Sequence, residues 1–238
     1  MLIDYNEFSG IFSNCGFDIT AEQYKRFFLY AKMLVEWNEK INLTGITDPR
    51  GIAVKHFLDS LLPLKNVEIP QGASIVDVGT GAGFPGLPIK IYRPDIKLTL
   101  LDSLNKRVNF LSAVCKETGA AAECVHARAE DCGRNERYRE KFDFAAARAV
   151  AALPVLAEYC LPFVKVGGTF IAMKGPNENP EDGKTAIKLL GGEISDIFEY
   201  SLPDGDRSRR KLICVKKICP TEKKYPRNSG QISKKPIL

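Results

Sequence analysis

The run Ser74-Ile75-Val76-Asp77-Val78 passes without a break into Gly79-Thr80-Gly81-Ala82-Gly83-Phe84-Pro85-Gly86. An apolar stretch of strand length ending in a glycine-dense corner constrains this chain more than any other feature. Glycine accepts the positive φ that a tight turn demands. A corner between a strand and a helix also brings backbone N–H groups and a helix N-terminus towards a ligand. Something nucleotide-like is therefore expected at this corner, against the plainer reading of a glycine-rich loop that holds nothing.

From Ser74 onwards apolar residues recur in short runs, each followed by turn residues and usually a helical stretch, the rhythm of βαβ units in a parallel sheet. Strands are expected over 74–78, 97–102, 123–127, 142–146, 169–174, about 193–200 and 211–217. The last two lack a helix between them and should pair antiparallel at one edge. The expected fold class is α/β: a Rossmann-like, mostly parallel seven-stranded sheet with helices on both faces. Residues 1–66 read instead as a helical cap packed on the core. Thr20 and Gln23 have capping-box spacing ahead of Tyr24, Phe27, Phe28, Ala31, Leu34 and Val35, and that helix should end near Asn42. Asp48-Pro49 then opens another helix, which Pro63 closes. The expected division is cap 1–66, core 67–218 and a basic, irregular tail 219–238.

Length and composition fit this plan: 238 residues with 45% hydrophobic content can fill one large α/β core with an appendage. No run approaches the roughly 18 uncharged residues of a membrane span, and the first residues lack the layout of a signal peptide. A cytoplasmic monomer without membrane contact is the expectation. The seven cysteines are scattered without a Cys-x-x-Cys pair, so neither a disulfide framework nor a metal site is expected. The net charge of +5 is unevenly held: 207–238 carries 11 Lys/Arg against the single acid Glu222, leaving the rest at −5. Such a block is either a solvated tail or a phosphate-binding arm, and composition leaves the two level.

Several candidate residues fall at the ends of the expected strands. Gly81, Gly83 and Gly86 alone satisfy G-x-G-x-x-G, and Asp102 lies where a dinucleotide site would want its ribose-binding acid. Asp77, two residues before Gly79, suits a cationic sulfonium ligand such as S-adenosylmethionine better than a pyrophosphate, because like charges would repel. Asp102 supports a ribose in either case. After the third strand, Ala129 and Glu130 are placed to read an adenine edge, although acids are also common in a helix's first turn. Arg148 is one charge in an apolar run, costly unless paired or facing a ligand. Lys174 ends the fifth strand on the same rim. His56 and Asp59 share one helix face, either shaping a substrate cleft or fixing cap to sheet. His126 and Cys160 read as core residues.

The chain resembles the family of small-subunit ribosomal RNA methyltransferase G, formerly glucose-inhibited division protein B. The resemblance rests on 34–38 with 42–44, 56–60, Asp77 to Gly86, 101–107, Arg148-Ala149 and Lys174-Gly175, which occur together and in order. It implies a class I S-adenosylmethionine-dependent fold. It also implies that Gly79, Phe84, Ala129, Glu130 and Arg148 contact the cofactor, with Asp102 near the ribose. The implied reaction is methylation of N7 of one guanine in 16S rRNA, free or in the small ribosomal subunit. N7 offers an unprotonated lone pair, so positioning would carry catalysis and no catalytic residue is expected. The chain lacks an Asp/Asn-Pro-Pro-aromatic motif for exocyclic amines and a Pro-Cys motif for pyrimidine C5. Asn42, His56, Lys174, Lys223, Lys224 and Arg227 are the expected substrate-side residues. Lys223-Lys224-Tyr225-Pro226-Arg227 resembles the basic ending of some family members, whereas Gly230-Gln231-Ile232 departs from the expected Gly-x-Pro. A nicotinamide-dependent oxidoreductase and a non-catalytic RNA-binding protein are the rival readings.

Overall fold

The computed structural model describes residues 2–148 and 151–238; Ala149 of the Arg148-Ala149 block lies outside them. Seven strands form one sheet in the order β3-β2-β1-β4-β5-β7-β6. They are β1 (Ser74–Val78), β2 (Lys97–Asp102), β3 (Ala122–His126), β4 (Phe142–Arg148), β5 (Val164–Lys174), β6 (Gly192–Ser201) and β7 (Arg209–Lys217). The first five run parallel, and β7 pairs antiparallel with both β5 and β6. The chain turns outwards from β1 in both directions, to β2 on one side and β4 on the other. That makes the carboxyl ends of these strands a switch-point crevice of the kind that receives ligands in open α/β sheets.

Strand alternation sends side chains to two separate cores. Ile75, Leu98, Leu100 and Ala146 join the first core, together with Phe8, Phe12, Phe27, Tyr30, Leu34 and Phe57 of the N-terminal helices. Val76, Val78, Leu101, Ala145 and Ala147 face the second, with Leu153, Leu156, Ala157, Ile187 and Tyr225. The N-terminal helices thus cover one face of the sheet and share its core. Burying an aromatic side chain is worth about 2–3 kcal/mol, and several pack here against one another, Phe8 on Phe12 at 4.2 Å and Phe27 on Phe57 at 4.9 Å.

Helix α1 (Tyr5–Ser13) is capped by Asp4, and α2 (Ala21–Ile41) by the reciprocal Thr20–Gln23 capping box. Asn42 closes α2 in the left-handed region at φ 50, which Asn tolerates better than most residues. Asp48 caps α3 (Pro49–Gly51), but the expected regular helix does not follow. Residues Ile52–Leu58 form a π-helical stretch before α4 (Asp59–Leu61), with Asp59 N–H bonding back to Val54 O. Wide turns of this kind leave carbonyls free for other partners and are frequent at functional sites. Between strands lie α5 (Gly86–Tyr92), α6 (Asn105–Thr118), α7 (Ala129–Cys132), α8 (Leu153–Cys160) and α9 (Lys184–Leu189). Among the described residues no helix is long and apolar enough to cross a membrane.

Two further expectations change. His126 is exposed at the end of β3, with its Nε2 3.1 Å from Ser103 O, and is not a core histidine. The reason is that β3 is an edge strand, so its side chains are only half covered. The tail is less irregular than its composition indicates, since α10 (Ser229–Lys234), capped by Asn228, docks Ile232 into the protein.

Candidate cofactor and acceptor site

The carboxyl ends of β1 to β5 border three adjoining cavities. The first is walled by Val78, Leu101, Ala127, Arg128, Ala129, Glu130 and Tyr159; the second by Leu43, Thr44, His56, Thr80, Gly81, Phe84, Arg107 and Arg148. Gly79, Asp102 and Ser103 line both. The third, holding Lys55, Asp59, Lys174, Gly175 and Arg210, shares His56 and Arg148 with the second. The expected cofactor residues therefore meet around the first two cavities. His56 and Lys174 line the third.

The glycine turn is built differently from a phosphate cradle. Gly79 and Thr80 N–H both bond to Leu101 O, Gly83 and Phe84 N–H to Thr80 O, Gly81 N–H to Asp102 Oδ2 and Gly86 N–H to Asp77 Oδ2. Almost every donor of the turn is thus satisfied inside the protein, where a dinucleotide site would point such donors at a pyrophosphate. Gly79 and Gly81 have φ of +67° and +61°, a region that costs an L side chain about 1 kcal/mol or more.

Asp77 does not face the ligand space. Its carboxylate is fully buried, accepts from Thr80 Oγ1 and Gly86 N at 2.7 Å each, and leaves Oδ1 without a partner among the described residues. Burial pushes its carboxyl up to about 6. Its charge acts only through the turn it organises, so the direct contact with a cationic ligand that its position suggests is absent. Asp102 is the acid at the rim: Oδ2 takes Gly81 N–H at 2.9 Å and Arg107 at 3.5 Å, and Oδ1 takes Leu104 N–H at 2.9 Å. Arg107 Nε is buried beside the second cavity and finds no partner among the described residues. An orphaned guanidinium donor there fits an anionic group such as an amino-acid carboxylate.

A layered stack separates the second and third cavities. The Phe84 ring lies on His56 at 4.4 Å and 15°, Tyr30 lies against Phe84 at 5.5 Å, and the Arg148 guanidinium sits 4.7 Å from the Phe84 centroid. Arg148 donates to Lys55 O at 3.2 Å and His56 O at 3.4 Å, carbonyls of the π-helical stretch, and to Asp59 Oδ2 at 3.3 Å. Its NH2 lies 3.3 Å from His56 Nδ1, while Thr44 Oγ1 lies 2.8 Å from Nε2. Because a guanidinium only donates, Nδ1 accepts and Nε2–H donates to Thr44. Burial, reinforced by Arg148, lowers the imidazole to about 3, so it is neutral near pH 7. Asp59 also accepts from Tyr200 Oη at 3.1 Å and Arg210 Nε at 3.5 Å. His56 and Asp59 therefore tie cap to sheet, and both line the third cavity.

Lys174, nearly buried, holds Ala151 O and pairs with Glu178 at 2.9 Å, so its ammonium is already engaged. Asn42 lines none of the three cavities, and its neighbours Leu43 and Thr44 do. Lys223 and Lys224 are exposed on the tail, away from the cavities. Arg227 turns inwards onto Glu158. Sequence reasoning missed Thr44, Ser103, Arg107, Tyr159, Lys55 and Arg210. Arg107 carries a detectable signal, a cation one turn into the helix after Asp102; Tyr159 is hidden in an apolar helix.

The family described as rRNA small subunit methyltransferase G matches residues 23–209. A relative from Desulforamulus reducens named ribosomal RNA small subunit methyltransferase G is 51% identical over 227 residues, covering 93% of each chain. Its namesake from Clostridium beijerinckii is 50% identical over 236 residues and 98% of each. Among solved structures, a SAM dependent methyltransferase from Aquifex aeolicus is similar at a TM-score of 0.52 and 16% identity, covering 71% of this chain and 93% of its own. TrmN from Thermus thermophilus aligns at 0.53 and 15%, covering 68% and 48%; likeness at this level concerns the fold alone. With half its residues shared along nearly its whole length, the chain belongs to the rRNA small subunit methyltransferase G family.

Proposed function

We propose that the protein transfers a methyl group from S-adenosylmethionine to N7 of a guanine in 16S rRNA, presented as free RNA or in the small ribosomal subunit. The observation that carries the choice of cofactor is the internal satisfaction of the turn N–H groups. A pyrophosphate would find the N–H donors of Gly79, Thr80, Gly81, Gly83, Phe84 and Gly86 taken, and the Asp102 carboxylate beside it. A neutral adenosine with an amino-acid end suits the same walls. Ala129, Glu130 and Tyr159 would border the adenine, Asp102 the ribose, and Arg107 the carboxylate. When bound, S-adenosylmethionine supplies an electrophilic methyl group.

The residues around the junction of the second and third cavities orient rather than exchange protons. His56 is neutral and held at both nitrogens, so it is poorly placed to act as a base. Arg148 is held in place by two carbonyls and Asp59. N7 carries no proton to remove, which suits a site without a free general base. The rRNA substrate is supported by the family membership and the relatives' names. The test incubates the protein with labelled S-adenosylmethionine and unmodified 16S rRNA, then maps product by cleavage at N7-methylguanine. Label at another atom, or none, would overturn the reading; calorimetric binding of a nicotinamide dinucleotide in place of S-adenosylmethionine would favour an oxidoreductase.

A further inference from the structure

The tail does not hang free. Thr221, Tyr225 and Pro226 are buried, and the backbone between them is gripped by arginines of the segment that follows α7. Arg139 donates to Thr221 O at 2.6 Å, Tyr225 O at 2.8 Å and Gly133 O at 3.0 Å, while Arg134 Nε donates to Pro226 O at 2.7 Å. Gly133 lies flush against the tail: a Cβ there would come 3.2 Å from Pro226 Cγ. On the other side Arg227 closes on α8. Its backbone N–H and its guanidinium together hold the Glu158 carboxylate, at 2.7, 3.0, 3.2 and 2.7 Å, and that carboxylate is 1% exposed.

Both gripped elements border the first cavity. Helix α7 carries Ala129 and Glu130, and ends at the Gly133 that Pro226 touches. Helix α8 carries Tyr159 next to Glu158. We infer that residues 221–227 are a clasp that positions Glu130 and Tyr159 at the adenine end of the cofactor site, with Arg227 as a positioning residue acting through Glu158. The inference rests on the S-adenosylmethionine reading for its ligand, and on the clasp geometry for everything else. A buried carboxylate stripped of its bidentate partner must find water or a proton. Helix α8 would then shift or loosen beside the cavity. Part of the positive tail is thereby assigned to the cofactor and withdrawn from the nucleic acid.

The test compares Arg227→Ala, Arg227→Lys and the double variant Lys234→Ala/Lys235→Ala, outside the clasp, in the full chain. Arg227→Ala is expected to raise the dissociation constant and KM for S-adenosylmethionine by about tenfold or more, leaving kcat at saturating donor and the affinity for 16S rRNA within about twofold. Arg227→Lys, which keeps the charge and loses the fork, should fall between it and the parent. The double lysine variant should show the opposite split, with RNA affinity reduced and donor affinity unchanged. Hydrogen exchange gives a ligand-independent readout, with faster exchange expected for amides of 129–134 and 153–160 in Arg227→Ala. Donor affinity within twofold of the parent in a folded Arg227→Ala, or unchanged exchange, would overturn the clasp. If Arg227→Ala does not fold, Arg134→Ala carries the same measurements with the same criteria. A parent that binds no S-adenosylmethionine would refute the cofactor reading and leave the exchange comparison to decide the clasp.

Discussion

At the scale of single residues, two groups titrate in opposite senses. His56 is held near 3 in the fold against an ordinary value of 6.5, so the unfolded chain takes up its proton first and stability falls as pH drops through that window. Asp77 is raised to about 6 from 3.8, so the folded chain holds the proton longer and stability falls as pH rises through its own window. The two slopes oppose between about 4 and 6. The difference in unfolding free energy between the parent and His56→Asn should therefore change by up to about 1.4 kcal/mol per pH unit between 6.5 and 3, with the parent losing ground as acid is added. Parallel stability curves in urea titrations would contradict the buried neutral imidazole. Single-turnover methyl transfer should in contrast be nearly flat from about pH 6.5 to 8.5, since no group of the site needs to lose a proton there. A tenfold rise per pH unit would reveal a base. Gly79, at φ +67° between two cavities, should not accept Gly79→Asp: calorimetry is expected to find S-adenosylmethionine binding abolished by backbone strain and by a side chain placed in space that both cavities share.

At the scale of elements, the sheet was readable because each strand has its own apolar run and a turn behind it. The capping box at Thr20 and the Asp48-Pro49 start were readable because both use side chains close in sequence. The π-helical stretch was not, since the partner that takes its His56 carbonyl, Arg148, lies 92 residues away. For the same reason the role of Asp77 was misjudged: sequence places it two residues before Gly79, but only the folded turn reveals that its carboxylate points at Gly86 N–H. Gly81, Asp102, Ala129 and Arg148 were legible from their places at or soon after strand ends, and Phe84 only through the family resemblance, whereas Tyr159 reaches the first cavity from a helix with no local mark. The joint between α2 and the turn is similarly long-range: buried Tyr30 Oη donates to Ala82 O. Tyr30→Phe should cost about 1–3 kcal/mol in equilibrium unfolding, because the bond is buried. It should also weaken donor binding, because Ala82 lines the second cavity. No loss of stability would indicate that the bond is incidental.

At the scale of the whole molecule, the +10 block divides into engaged and available charges. Arg209, Arg210, Lys211, Lys217 and Arg227 are paired with Glu199, Asp59, Glu199, Glu140 and Glu158 respectively. Lys217 is fully buried and lowered to about 8 by burial. Lys223, Lys234 and Lys235 are exposed, and the ion pairs among the described residues include none of them. Replacing these three with alanine is expected to reduce the slope of log affinity for 16S rRNA against log salt by about 2, at about 0.7–0.9 for each phosphate no longer neutralised. An unchanged slope would show that the tail holds no phosphates. Composition counted these charges correctly, but only packing sorts them. The clasp also has an order in time. Residues 221–227 leave the ribosome after every wall of the first cavity, so a nascent chain that has already laid down its sheet still carries Glu158 without its guanidinium. Competence to load a methyl donor would arrive only once Arg227 has emerged, and a chain cut short before it would be a folded sheet with an unfinished pocket.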